Sequence, residues 1–256
     1  MTSSEVHQIK YDIEKEKIYE VDNFFDRPFE LHDYFFKKNT NYVSDNFVAQ
    51  IGNTDPDDPG LRHKLNTENA VDAAIIEEIV YKIQKVTGKK VTHISASFNV
   101  NFVHSMHGCI HFDDAEENVK KYSGLIYMSA VFPSNCGTTL YHYRDLNDVL
   151  NSKNITIHEY LSMTHVINNI HISYKNFVKM QCSAEVKKIM SEFKEFKKFQ
   201  FAFNKFIAYP AILLHSQDDY FSDAPENSDS GHRYSFSVFF ELDDADVDAN
   251  LKEENA

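Results

Sequence analysis

Tryptophan is absent from this chain, and glycine (7), proline (6) and cysteine (3) are scarce for 256 residues. So little glycine and proline excludes collagen-like and low-complexity classes. The three cysteines, Cys109, Cys136 and Cys182, are too few and too scattered for a disulfide framework or a thiolate zinc site. Basic residues are also in deficit: 26 Lys and Arg face 39 Asp and Glu, a formal charge of −13 with His neutral. That balance argues against nucleic-acid affinity built on phosphate contacts, although it leaves room for a local basic cleft. Long apolar runs are missing too. No stretch approaches the roughly 20 residues that span a bilayer, and the polar opening from Met1 to Lys10 lacks the apolar stretch of a secretory signal.

What is present suits a packed core. The chain is 42% hydrophobic and 25% charged, with 21 Phe and 14 Tyr, well outside the composition of disordered segments. The expectation is a soluble, acidic, cytoplasmic protein with no membrane association. A single domain is expected over 1–242, with an insertion around 142–199 and an acidic disordered tail over 243–256. No internal repeat occurs at a solenoid period.

Lys17–Val21 alternates as a strand, Asp22-Asn23 begins a turn, and Pro28 opens a helical stretch through Leu31, Tyr34 and Phe35. Residues 52–60 read as a loop. The clearest helix is expected from Glu68 to Thr87, with Val71, Ile75, Ile79, Ile83 and Val86 as its stripe and Gly88 at its exit. A second is expected over Ala184–Phe199, capped by Ser183, with Val186, Ile189, Met190, Phe193 and Phe196 in line. Strands are expected over Thr92–Val103, Gly124–Phe132, Gly137–Arg144, Phe199–Tyr209, Ala211–His215 and Arg233–Leu242. Several strands with helices to one side suggest an antiparallel sandwich or barrel.

His111-Phe112-Asp113 is the first chemical candidate, because residues two apart in a strand project to the same face. A lone His215 ends an apolar stretch further on. In the last strand, Tyr234, Phe236, Val238 and Phe240 fall on one face and Arg233, Ser235 and Ser237 on the other. A guanidinium on an inward face demands a counter-charge, and a carboxylate is its natural bidentate match. Two histidines and one carboxylate with open positions form the facial triad of non-haem Fe(II) oxygenases, and an Arg/Ser pair suits a 2-oxo acid cosubstrate.

This order of motifs, His-x-Asp, then Gly137-Thr-x-Leu-Tyr141, then a distal His and an Arg-x-Ser strand, resembles the Fe(II)/2-oxoglutarate-dependent dioxygenase superfamily. The opening Ile18-Tyr-Glu-Val-Asp-Asn-Phe-Phe25 is similar to the start of its prolyl-hydroxylase-like branch and to small phage and bacterial members. The resemblance runs from about residue 18 to 242. It implies a mainly β fold with α, a double-stranded β-helix (jelly-roll) core with supporting N-terminal helices. It implies Fe(II) held by His111, Asp113 and His215, with 2-oxoglutarate and O2 as cosubstrates. Arg233 would pair with the distal carboxylate of 2-oxoglutarate, Ser235 would add a hydrogen bond, and Tyr127 would be a further cosubstrate contact. The implied activity is hydroxylation of a protein, peptide or amino-acid-like small molecule.

Other readings stay open at this point. The barrel could be a cupin-like binding module, or hold zinc with His104 or His107 as a ligand. Asp114 would replace Asp113 only if the register slipped. Cys109 and Cys136 read as small buried thiols, and His158, His165 and His171 as exposed side chains of the insertion. The acidic loop 216–232 carries Asp218, Asp219, Asp223, Glu226 and Asp229, and suits equally a substrate-binding or lid role and plain surface decoration.

Overall fold

Strict alternation in the last strand organises the molecule. The computed structural model describes residues 17–42, 60–101, 113, 121–130, 137–143, 193–217 and 233–246. Strand β9 (Arg233–Asp246) buries Tyr234, Phe236, Val238 and Phe240 on one side of its sheet. It lies between β3 (Lys89–Asn101) and β4 (Lys121–Tyr127). The sheet is completed by β1 (Tyr19–Val21), β2 (Gly60–Lys64) and β7 (Phe206–Pro210), in the order β1-β7-β4-β9-β3-β2. A smaller sheet holds β5 (Thr138–Tyr143) between β6 (Phe193–Phe199) and β8 (Leu214–Gln217). All these pairings are antiparallel.

The two faces of the larger sheet pack against different things. Its outer face carries α1 (Pro28–Tyr42) and α2 (Ala70–Thr87), with Phe35, Ile75, Ile79 and Ile83 meeting Phe98 and Phe236. Its inner face meets the smaller sheet through Tyr127, Ile207 and Tyr209 against Leu140 and Phe199. The architecture is a double-stranded β-helix with helices supporting its larger sheet. Among the described residues, no helix is long and apolar enough to cross a membrane.

Helix α2 forms for local reasons that the sequence announces. The Asn69 side chain accepts from the backbone N–H groups of Val71 and Asp72, and Gly88 closes the helix at φ 67° with its N–H on Gln84. Ile79 and Ile83 are fully buried, each contributing about 1.5–3 kcal/mol. Val71, expected in the stripe, is 46% exposed because it belongs to the first turn, ahead of the packed face.

Several expectations need correction. Phe193–Phe199 is not the end of a helix but strand β6, paired with β5. Its ladder steps from Leu140↔Lys197 to Tyr141↔Glu195, so Phe196 is the extra residue of a bulge. Phe193, Phe196 and Phe199, three apart, imitate helical spacing in an irregular strand. The expected strand Phe199–Tyr209 is β6, a turn, and then β7. Strand β9 runs on to Asp246, past the expected end at Leu242. Gly60–Lys64, read in part as loop, is edge strand β2. Residues 184–192 and 247–256 lie outside the described residues, as does most of the 142–199 insertion, which returns to the core by Phe193.

The turn before β7 depends on Asn204, held in the left-handed region at φ 60°. Its side chain accepts from Phe25 N–H at 2.8 Å and donates to the Phe25 carbonyl at 2.9 Å. Its backbone N–H reaches the Tyr127 carbonyl at 2.7 Å, and its carbonyl accepts from Phe24 at 2.9 Å. Asn204→Ala removes both buried side-chain bonds and leaves two backbone groups unsatisfied. The expected cost is about 2–4 kcal/mol, seen as a lower urea midpoint at unchanged slope.

Candidate functional site

The inner face of the larger sheet gathers the candidate residues that fall within the described structure. Arg233 and Ser235, at the start of β9, are buried at 0% and 2% exposure. Ser235 lies opposite Tyr127 on β4 and opposite Asn99 on β3, so the three form one row across the sheet. Tyr127, also fully buried, donates its hydroxyl to Thr138 Oγ1 on β5 at 2.8 Å. The polar surface continues through Asn99, whose side-chain amide donates to Ser237 Oγ at 2.6 Å.

His215 sits on β8, buried, with its ring 4.9 Å from that of Tyr209. Asp113 is tied to the end of β7 by its backbone N–H on the Ala211 carbonyl at 3.0 Å. The structure brings these two side chains together: His215 Nε2 lies 3.4 Å from Asp113 Oδ2. His111, the third expected ligand, lies outside the described residues, as do His104, His107, Asp114, Cys109, Cys136 and the loop from 218 to 232. Among the described residues no group of three or more His, Cys, Asp or Glu could hold a metal.

The protonation pattern of His215 tests whether this pair suits a cation. Its Nδ1 is 3.0 Å from the Leu213 carbonyl, which can only accept, so Nδ1 carries the proton. In the neutral ring the lone pair is then on Nε2, directed at a carboxylate oxygen. Two lone-pair atoms this close repel unless a proton or a cation lies between them. First-row divalent ions bind nitrogen and oxygen at roughly 2.0–2.2 Å, which places neighbouring ligands about 3 Å apart. The pair fits a metal, with Leu213 supplying the backbone acceptor that such histidines characteristically use. An imidazolium would satisfy the same contact as an ion pair, and metal titration separates the two.

Tyr209, fully buried, packs on the His215 ring. Burial pushes its phenol well above the ordinary value; the charge of Asp113 and the neighbouring Tyr127 add to this, and Arg233 opposes it. The group therefore keeps its proton and is a donor.

Sequence reasoning missed Thr138, Phe201 and Tyr209 as parts of this site. Gly137, in the Gly-Thr-x-Leu-Tyr motif, carried the signal for Thr138. A Cβ at Gly137 would meet the Phe199 carbonyl oxygen, so only glycine lets β5 begin this close to β6.

With this geometry in view, solved structures place the fold. The chain is similar to AviO1 from Streptomyces viridochromogenes Tue57, with TM-score 0.51 and 10% identity over 91% of this chain and 92% of that one. It is equally similar to SnoK, a non-haem α-ketoglutarate-dependent carbocyclase from nogalamycin biosynthesis (TM-score 0.51, 8% identity, 89% and 80% covered). A Pseudomonas putida prolyl-4-hydroxylase aligns at TM-score 0.46 and 8% identity, over 90% and 95% of the chains. The likeness to AviO1 and SnoK shows the fold alone, a double-stranded β-helix. No protein-family model and no curated protein matches the sequence.

Proposed function

We propose that this chain is a non-haem Fe(II)- and 2-oxoglutarate-dependent oxygenase. The reading is carried by one observation: a buried, Nδ1-protonated His215 aims Nε2 at Asp113 on the interior that also holds buried Arg233 and Ser235. In this reading Asp113 and His215 hold the metal together with His111. Arg233 receives the distal carboxylate of 2-oxoglutarate edge-on, and Ser235 adds a hydrogen bond to it. Tyr127, beside Arg233, and Tyr209, beside His215, are both buried. Iron held by these residues would supply the O2 chemistry in which oxidative decarboxylation of the cosubstrate is coupled to oxidation of a substrate C–H bond.

We extend the proposal to hydroxylation of a protein, peptide or amino-acid-like substrate, supported by the prolyl-hydroxylase-like opening from Ile18 to Phe25. A cytoplasmic setting and a single domain, elaborated at 142–199, belong to the same proposal; strand β9 carries that domain to Asp246, past the expected boundary at 242. Anaerobic titration with Fe(II) and then 2-oxoglutarate tests it. The expected result is a visible charge-transfer band in wild type that is absent from Asp113→Ala. A folded, iron-loaded wild type without the band would return the molecule to a metal-binding barrel of the cupin kind.

A further inference from the structure

Phe201 was not a candidate on sequence, and it lies in the turn between β6 and β7 rather than on either sheet. It is 4% exposed, and its ring stacks on Tyr127 with centroids 4.5 Å apart. The Arg233 guanidinium carbon lies 5.1 Å from the Tyr127 centroid and 5.6 Å from that of Phe201. Tyr127 is pinned in turn by its bond to Thr138 on the opposite sheet. The turn carrying Phe201 is pinned by Asn204 to Phe24, Phe25 and Tyr127. One cation is thus held by two rings whose own positions are fixed from the smaller sheet and from the β1 exit.

From this cluster we propose that Phe201 is a positioning residue for cosubstrate recognition: with Tyr127 it holds the Arg233 guanidinium ready to receive the distal carboxylate of a 2-oxo dicarboxylic acid. The inference rests on the oxygenase reading above. Its physical basis is the geometry of the guanidinium. Its π contacts are made through ring faces, whereas a carboxylate meets it in plane, along its N–H edge. Aromatic support and carboxylate binding therefore do not compete for the same part of the group. A fully buried arginine also has many rotamers to lose, and fixing it before the ligand arrives removes that cost from binding. The same device gives selectivity, because a 2-oxo monocarboxylic acid offers nothing to the ordered cation.

The test is anaerobic calorimetry on Fe(II)-loaded protein with 2-oxoglutarate and, separately, 2-oxobutyrate, which lacks the distal carboxylate. Phe201→Leu is expected to weaken 2-oxoglutarate about tenfold, the loss of one aromatic–cation contact in a desolvated site. Fe(II) and 2-oxobutyrate should be unaffected within a factor of about two, and Phe201→Tyr, which keeps the ring, should bind as wild type. A merely structural role for Phe201 would weaken both acids together. Equal weakening, or unchanged 2-oxoglutarate affinity in Phe201→Leu, overturns the proposal. Thr138→Val gives a second arm in a core of unchanged volume: it releases the Tyr127 hydroxyl and should weaken 2-oxoglutarate alone. If Phe201→Leu does not fold, an unchanged Thr138→Val overturns the proposal by itself. Failure of wild type to bind 2-oxoglutarate overturns the oxygenase reading and this inference together, an outcome distinct from a silent variant.

Discussion

Arg233→Met should leave Fe(II) binding intact while weakening 2-oxoglutarate by roughly two to four orders of magnitude, the largest effect expected of any change to the proposed cosubstrate site. The argument begins with burial. Arg233 has no exposed surface and lies among aromatic rings, where water cannot replace a lost partner. A bound carboxylate would face methionine in its place, and leaving one buried charge without its counter-ion costs about 3–5 kcal/mol. Methionine fills most of the volume and has no polar atom to strand, so the core should survive. Isothermal calorimetry on the iron-loaded variant reads the result. Ser235→Ala, which removes one hydrogen bond and no charge, should cost only about threefold to tenfold. Parallel loss of iron and 2-oxoglutarate in Arg233→Met would assign Arg233 to the scaffold, and a smaller effect than Ser235→Ala would place the carboxylate elsewhere.

That prediction could be framed on the sequence because β9 is legible there. Its alternation is unbroken from Arg233 to Val238, and a period of two over six residues has no helical counterpart. Helix α2 is legible for the complementary reason: isoleucines four apart and a Gly exit agree, although its cap is Asn69 and its first residue Ala70 instead of the expected Glu68. Strand β6 is illegible because one bulged residue, Phe196, shifts the pattern and leaves aromatics three apart. The site divides along the same line. Asp113, His215, Arg233 and Ser235 announce themselves by chemical type, being polar groups in or beside apolar strands. Phe201 and Tyr209 are aromatics in a chain with 35 Phe and Tyr, 21 and 14, so residue type singles out neither. Their roles follow from contacts across the fold, from β7 to β8 for Tyr209 and from the Asn204 turn to β4 and β9 for Phe201.

The second large effect concerns the metal, and it separates the two ways of satisfying the His215–Asp113 contact. If a divalent ion is what these atoms await, adding Mn(II) to metal-free protein should raise its melting temperature. At a hundredfold excess over Kd the stabilisation is about 2.7 kcal/mol. For a domain of this size that corresponds to roughly 5–10 °C. His215→Ala should abolish the shift, since it removes a ligand whose ring is oriented in advance by Leu213 and packed on Tyr209. The variant should also melt lower without metal, because a buried ring is replaced by a cavity. The informative quantity is therefore the metal-induced shift and not the melting temperature itself. Asp113→Asn should likewise lose the shift with a smaller change in the metal-free melt, because the Asp113 backbone bond to Ala211 does not involve the carboxylate. A wild type indifferent to Mn(II), together with a destabilised Asp113→Asn, would make the contact an imidazolium–carboxylate ion pair. A shift retained in His215→Ala would move the metal to other ligands and leave the pair a structural one.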